Sequence, residues 1–266
     1  MANSWTIHSL SRGLRLLDII AQQSGGITVK WLSAASDIPL GTCYHLVKTL
    51  VEEGYVEKDK TSQLYKLSYK IAYLHNQMRP DFSVPAPLKI ISQDIVTALQ
   101  ETTYVARWVH GEVIIQHITE GNQAVKVRAL YVGYREHAFV HALGKTILAH
   151  LPSRDLISYR RLHPPSPRTS HSRVDPEHME HELRLTRERG YSCDLQEWEL
   201  GVCCVAAPIF QYDGQIWGAV AVSMPESRYD PATLNVPRYI QDQARLMSEH
   251  LGFPSSGKAQ QRAGSH

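Results

Sequence analysis

Apolar residues recur at helical spacing near the start of the chain. Leu10, Leu14, Leu17 and Ile20 share one face and predict a helix that ends at Gly25-Gly26. Thr28 precedes Val29, Leu32 and Ala35, which predicts a short helix to residue 35 with Thr28 as its N-cap. Asp37-Ile38-Pro39 reads as a turn. A third helix follows over about 40–53, with Cys43, Leu46, Val47 and Leu50 on its buried face and Gly54 as its cap. The period then drops to two. Tyr55-Val56-Glu57 and Leu64-Tyr65-Lys66-Leu67 alternate apolar and polar residues around a polar run at 58–63, which predicts a hairpin. Helix, helix–turn–helix, hairpin is the order of a winged helix-turn-helix.

Beyond residue 87 the two periods are interspersed. Helices are predicted over 88–99, 140–151, 176–189 and 233–251. Strands are predicted over 103–109 and 112–118, joined at His110-Gly111, and over 124–130. A second hairpin is expected from 202–210 and 215–222 around Asp213-Gly214. Hairpins without βαβ runs indicate an α+β fold with an antiparallel sheet. Between the two patterns, Pro80, Pro85 and Pro87 interrupt any helix and stiffen the chain. The expected division is a winged helix-turn-helix at 1–78, a Pro-rich linker at 79–87, a second domain at 88–252 and a disordered tail at 253–266. The Pro- and Ser-rich stretch 163–173 reads as a surface loop of the second domain.

Composition narrows the function classes. Of 266 residues, 43% are hydrophobic and 20% charged, as in a globular protein, and the formal charge of +2 excludes a polybasic tail binder. Residues 1–80 hold nine Lys and Arg against six Asp and Glu, so the surplus of positive charge lies in the first domain. No apolar run reaches the roughly 18–20 residues that span a bilayer, and 1–7 lacks the pattern of a secretion signal. The cytoplasm is the expected compartment, with no membrane partner, and Cys43, Cys193, Cys203 and Cys204 are expected as thiols.

The second helix of a helix-turn-helix pair offers its first residues to the major groove. Here these are Leu40, Gly41, Thr42, Tyr44, His45 and Lys48. Lys58 and Lys60 on the hairpin turn are placed to follow a phosphate backbone, and Thr28 at the start of the preceding helix joins the candidate DNA contacts. The alternative is a solvated charged face that serves only dimer contacts. In the second domain, a helix beginning near Val140 would offer free N–H groups to an anion, with His141 in its first turn as a donor. Trp108, Phe139, Trp198 and Trp217 are candidate aromatic walls. His137 and His141, or His178 and His181, stand at helical spacing for a metal, but no further ligand pattern accompanies them, so they read as solvated histidines. There is no Gly-x-Ser-x-Gly, P-loop or Gly-x-Gly-x-x-Gly and hence no expected cofactor. A thiol- or metal-dependent enzyme built on Cys204, His141 and Asp194 is the competing class.

Several ordered segments resemble the IclR-type transcriptional regulators. They are 9–20 in the first helix, Gly26-Ile27-Thr28-Val29, and Ile38-Pro39 through Gly54-Tyr55-Val56. Further on they are Ala142-Leu143-Gly144-Lys145, Gly190-Tyr191 through Asp194, and Gly201-Val202-Cys203-Cys204 through Ile209. The resemblance implies a GAF-like effector domain, dimers through the N-terminal domains and often tetramers. It also implies that Asp194, Cys204 and Ser223 face a bound small molecule, with Phe139, His141 and Ala142 at the start of the nearby helix as further effector contacts. Two departures stand out. The family's reading helix commonly begins Pro-Arg/Lys-Ser-Thr and carries Arg after the aromatic residue, where this chain has Pro39-Leu40-Gly41-Thr42 and His45. The family often has His at the position of Phe139 and Thr at that of His141. The expected function is a ligand-responsive regulator that binds a near-palindromic duplex operator and a carboxylate or aromatic effector, as a homodimer or homotetramer.

Overall fold

In the computed structural model, residues 6–23, 25–76, 83–123, 130–230 and 235–254 are described. They belong to two units divided between Pro80 and Asp81. The expected strand at 124–130 lies outside these residues except for Leu130. So do part of the linker (79–82), the start of the closing helix and the tail from 255.

The first unit is built on α1 (His8–Ala21), α2 (Val29–Ser36) and α3 (Leu40–Glu52), followed by the hairpin β1 (Val56–Lys58) and β2 (Tyr65–Leu67) and by α4 (Tyr69–Asn76). Leu16, Ile20, Leu32, Cys43, Val47 and Val56 form its core, with Ile27 bridged to Tyr65. The Thr28 hydroxyl caps α2 by accepting the Trp31 N–H at 3.2 Å. Asp37 takes the left-handed conformation that ends α2 and turns the chain into α3. The short helix α4 carries no strong apolar period and was not anticipated.

The second unit is a five-stranded antiparallel sheet in the order β4-β3-β7-β6-β5. Its strands are β3 (Thr102–Val109), β4 (Glu112–Thr119), β5 (Ser192–Leu195), β6 (Val202–Phe210) and β7 (Ile216–Pro225). Helices α5 (Ala86–Leu99) and α9 (Val236–His250) cover one face, with Val105, Val205, Val220 and Val222 beneath them. On the other face lie α6 (Ala142–Ala149), α7 (Ser153–Leu162) and α8 (Pro176–Arg189), over Tyr104, Ala106, Ala206, Ala219 and Ala221. The small strand residues let α6 sink in, and all eight of its residues are buried. Gly144 is required there, because a Cβ at that position would lie 2.1 Å from the Ala138 carbonyl oxygen. The edge strand β5 and the helix α7 were not read from the sequence. Four residues are too few to declare a period, and α7 has a polar, Arg-rich surface.

Candidate functional site

Helix α3 exposes the residues singled out for DNA. Leu40 and Tyr44 are 51% and 55% exposed, and Gly41, Thr42, His45 and Lys48 are exposed beside them. Cys43 and Val47 anchor the opposite face in the core. The hairpin turn is held by Asp59, whose Oδ1 accepts the N–H groups of Thr61 at 2.9 Å and Ser62 at 2.7 Å. These bonds keep the Asp59 carboxyl below its ordinary range. Lys58 and Lys60 flank it in solvent, so the turn presents two cations around one occupied carboxylate. Lys48 is 3.6 Å from Glu52, an exposed pair one helical turn apart. Thr28 is exposed, and its hydroxyl oxygen serves the α2 cap.

In the second unit, register brings three of the candidate effector contacts side by side. Asp194 of β5 pairs with Cys204 of β6, Cys204 with Ser223 of β7, and Ser223 with Thr102 of β3. The result is a polar row across four strands, on the face that carries α6. The next row is Ser192, Ala206, Ala221 and Tyr104. Asp194, Ser223 and Thr102 are buried and Cys204 is half-buried. The Cys204 thiol donates to the Ser223 hydroxyl at 3.2 Å. Asp194 Oδ1 accepts the N–H groups of Glu197 at 2.7 Å and Trp198 at 3.2 Å. Its Oδ2 is buried with no hydrogen-bond partner among the described residues. Burial raises the Asp194 carboxyl to about 7, against the opposing pull of the Lys145 ammonium. A buried polar atom without a partner is costly and marks a place where a ligand group would be welcome.

The Gly-Lys segment brings a further charged residue to the site, Lys145. It is 4% exposed, 2.5 Å from Glu197 Oε1 and 3.8 Å from Glu182 Oε1, and Glu182 also holds Arg189 at 2.6 Å. This network fixes the turn after β5 from below. The available signal was a lysine inside an otherwise apolar run, which must find a carboxylate if the helix is buried.

Several expectations need correction. The helix begins at Ala142 and not near Val140, so His141 is its N-cap and stands outside the first turn. Its Nδ1 accepts the Gly144 N–H at 3.0 Å, and its ring also bonds to the Glu136 backbone. Burial lowers its pKa to about 3, so it is a neutral cap and not a cationic donor to a carboxylate. His137 lies before the helix with a positive φ of 55°, so it and His141 do not share a helix face. Trp217 belongs to the α5 and α9 face, opposite the polar row, with the Arg107 guanidinium 4.6 Å from its ring. Trp108, Phe139 and Trp198 lie on the α6 face. Phe139 packs on Tyr159 and lines a cleft of about 240 Å³ with His137 and His163. Ala142 is buried, and its carbonyl accepts the Ser192 hydroxyl. Cys203 and Cys204 point to opposite faces, and burial raises both thiols, Cys204 well above its usual value. Cys204 is thus a poor nucleophile. Among the described residues no group of three or more His, Cys, Asp or Glu is placed to hold a metal, and no helix is long and apolar enough to cross a membrane.

Family models match both units. Residues 9–60 match the IclR helix-turn-helix domain, and 83–249 match the C-terminal domain described as bacterial transcriptional regulator IclR. An uncharacterized HTH-type transcriptional regulator of Haemophilus influenzae is 29% identical over 250 residues, covering 92% of this chain and 93% of its own. The transcriptional repressor IclR of Escherichia coli is 26% identical over 228 residues, covering 84% and 81%. Among solved structures, the Thermotoga maritima IclR matches with a TM-score of 0.69 at 23% identity, over 93% of this chain and 100% of that one. A regulator from Rhodococcus matches with a TM-score of 0.72 at 22% identity, over 92% and 98%.

Proposed function

This chain belongs to the IclR family of bacterial transcriptional regulators, and on that premise we propose a ligand-responsive homodimer or homotetramer that binds a near-palindromic operator. Membership makes it a DNA-binding transcriptional regulator with a helix-turn-helix and an effector domain, and not an enzyme. The finer statements are ours. The reading head consists of Leu40, Gly41, Thr42, Tyr44, His45 and Lys48, with Lys58, Lys60 and Thr28 along the backbone. Their exposure on α3 and the hairpin supports this. Ile7, Leu10 and Leu14 of the first unit are more than half exposed in one stripe, and a second copy would cover them. Two-fold symmetry then gives an operator of two inverted half-sites.

The effector reading rests on one observation, the row Asp194–Cys204–Ser223 with its unpartnered Oδ2. The proposed effector is a small organic acid, aliphatic or aromatic. Its donors are the Ser223 hydroxyl and the protonated Asp194 carboxyl, while Phe139, His141 and Ala142 frame the site without donating to it. Selection of duplexes from a random library, followed by salt titration, tests the DNA reading. An enriched inverted repeat whose affinity falls steeply with salt supports it. A calorimetric panel of neutral and carboxylate ligands tests the effector. Binding by neutral ligands alone refutes the acid.

A further inference from the structure

The Pro-rich segment 163–173 is clamped to the turn that carries Asp194's partners. Its Thr169 hydroxyl donates to the Gln196 carbonyl at 2.7 Å, and its Ser172 hydroxyl donates to the Glu197 carbonyl at 2.6 Å. Ser172 Oγ in turn accepts the N–H groups of Arg168 and Thr169, both at 2.9 Å. The Arg168 guanidinium lies 4.2 Å from the Trp198 ring centroid, and that ring packs edge-on against Tyr134 at 5.1 Å and His141 at 6.0 Å. Trp198 is therefore pinned between Arg168 and the start of α6.

Both ends of the segment are anchored. His163 stacks on Tyr159 at 4.4 Å and bonds Glu112 at 3.1 Å. At the far end, Asp175 caps α8 through the His178 N–H at 2.8 Å. Pro164, Pro165 and Pro167 stiffen what lies between. The turn it grips is strained by itself, with Gln196 at a φ of 64°. Asp194 holds that turn from inside through the Glu197 and Trp198 N–H groups.

We propose that Arg168, Thr169 and Ser172 are positioning residues of the effector site: they hold the 196–198 turn in place, and through it fix the Asp194 carboxyl and the access to Cys204. The inference rests on the polar row being the effector site. Cys204 packs against the cluster that contains Trp198, so its thiol reports on the clamp. Val220, wholly buried in the middle of β7, reports on global opening through exchange of its amide hydrogen.

The test is N-ethylmaleimide labelling of the full chain, with each thiol followed by peptide mass spectrometry. Thr169→Val and Ser172→Ala should each label Cys204 roughly tenfold faster and Arg168→Ala a few-fold faster, the changes in open population that a lost hydrogen bond and a lost exposed cation–π contact produce. Exchange at Val220 should not change. Thr169→Ser keeps the hydroxyl and should restore the wild-type rate, which a merely space-filling role does not predict. In chain labelled with 5-fluorotryptophan, the Trp198 resonance, assigned with Trp198→Phe, should move in Arg168→Ala. Cys204 rates within about twofold of wild type in all three variants overturn the clamp. So does a parallel rise in exchange at Val220. A wild-type chain in which organic acids release the operator without slowing Cys204 labelling overturns the row as effector site, and the clamp's role with it.

Discussion

The Cys204 thiol donates to the Ser223 hydroxyl across the β6–β7 register at 3.2 Å, while Asp194 stands on the thiol's other side. While accepting this thiol, the Ser223 oxygen still has its own hydrogen to donate to a ligand. Ser223→Ala should therefore lower effector potency about tenfold, the value of one hydrogen bond in a dry site. Affinity for the operator without effector should stay unchanged. Fluorescence anisotropy with a labelled operator measures both, and a shift in the effector-free affinity would place Ser223 outside the ligand site.

Asp194 makes a pH prediction. Its carboxyl titrates at 3.8 when unperturbed and at about 7 in the fold, because burial disfavours the charge. Below 3.8 both states are protonated and the stabilising contribution is complete. Between these values the folded chain keeps a proton that the unfolded chain has released. Stability then falls as pH rises, and the loss is complete above about 7. The ceiling is about 4 kcal/mol. Urea denaturation at pH 5 and pH 8 should show this fall in the wild type and a smaller one in Asp194→Asn. Equal falls would remove Asp194 as the cause.

The reading head should split by chemistry. Lys48→Ala and Lys60→Ala should weaken all duplexes alike and flatten the salt dependence by about 0.9 in log–log slope each. Thr42→Ala and His45→Ala should instead relax preference at one base position. Glu52→Gln releases Lys48 from its 3.6 Å partner and should tighten binding. An electrophoretic or anisotropy titration across salt concentrations separates the two classes, and identical slopes in wild type and Lys60→Ala would take the hairpin turn off the DNA.

Gly144→Ala tests the seating of α6. The new Cβ would meet the Ala138 carbonyl at 2.1 Å, and both partners are backbone. A loss of about 1–3 kcal/mol or more is expected in the second unit, as for overpacked cores. Circular dichroism with denaturant measures it, and wild-type stability would mean that the approach can relax.

The sequence announced most of the first unit, because each of its elements carries its own punctuation: the Thr28 cap, the Asp37-Ile38-Pro39 turn and the alternation through Leu64–Leu67. It announced the long strands β6 and β7 for the same reason. The positions Asp194, Cys204 and Ser223 came from family resemblance, and their adjacency depends on a register that no local pattern encodes. His141 was misread because the helix start was placed two residues early. A histidine in a first turn and a histidine at an N-cap look alike in sequence but have opposite hydrogen-bond roles. Of the four candidate aromatic walls, Trp217 alone falls on the far face, beside the register shift between Ile209 and Phe210, and no local pattern in the sequence marks that shift. Lys145, Glu197 and the 163–173 clamp depend on contacts between residues dozens of positions apart.

The polar row lies on the α6 face of the sheet, while α5, the helix that follows the linker, packs on the other. One layer of strands therefore divides a ligand on the row from the element that leads back toward the DNA-binding unit. The shortest mechanical path between them runs through the thickness of the sheet. β6 and β7 serve both faces at once, with Cys204 and Ser223 on one side and Val205 and Val222 on the other. A ligand that displaced Cys204 or Ser223 would therefore bear on strands whose other face lies in the core under α5 and α9.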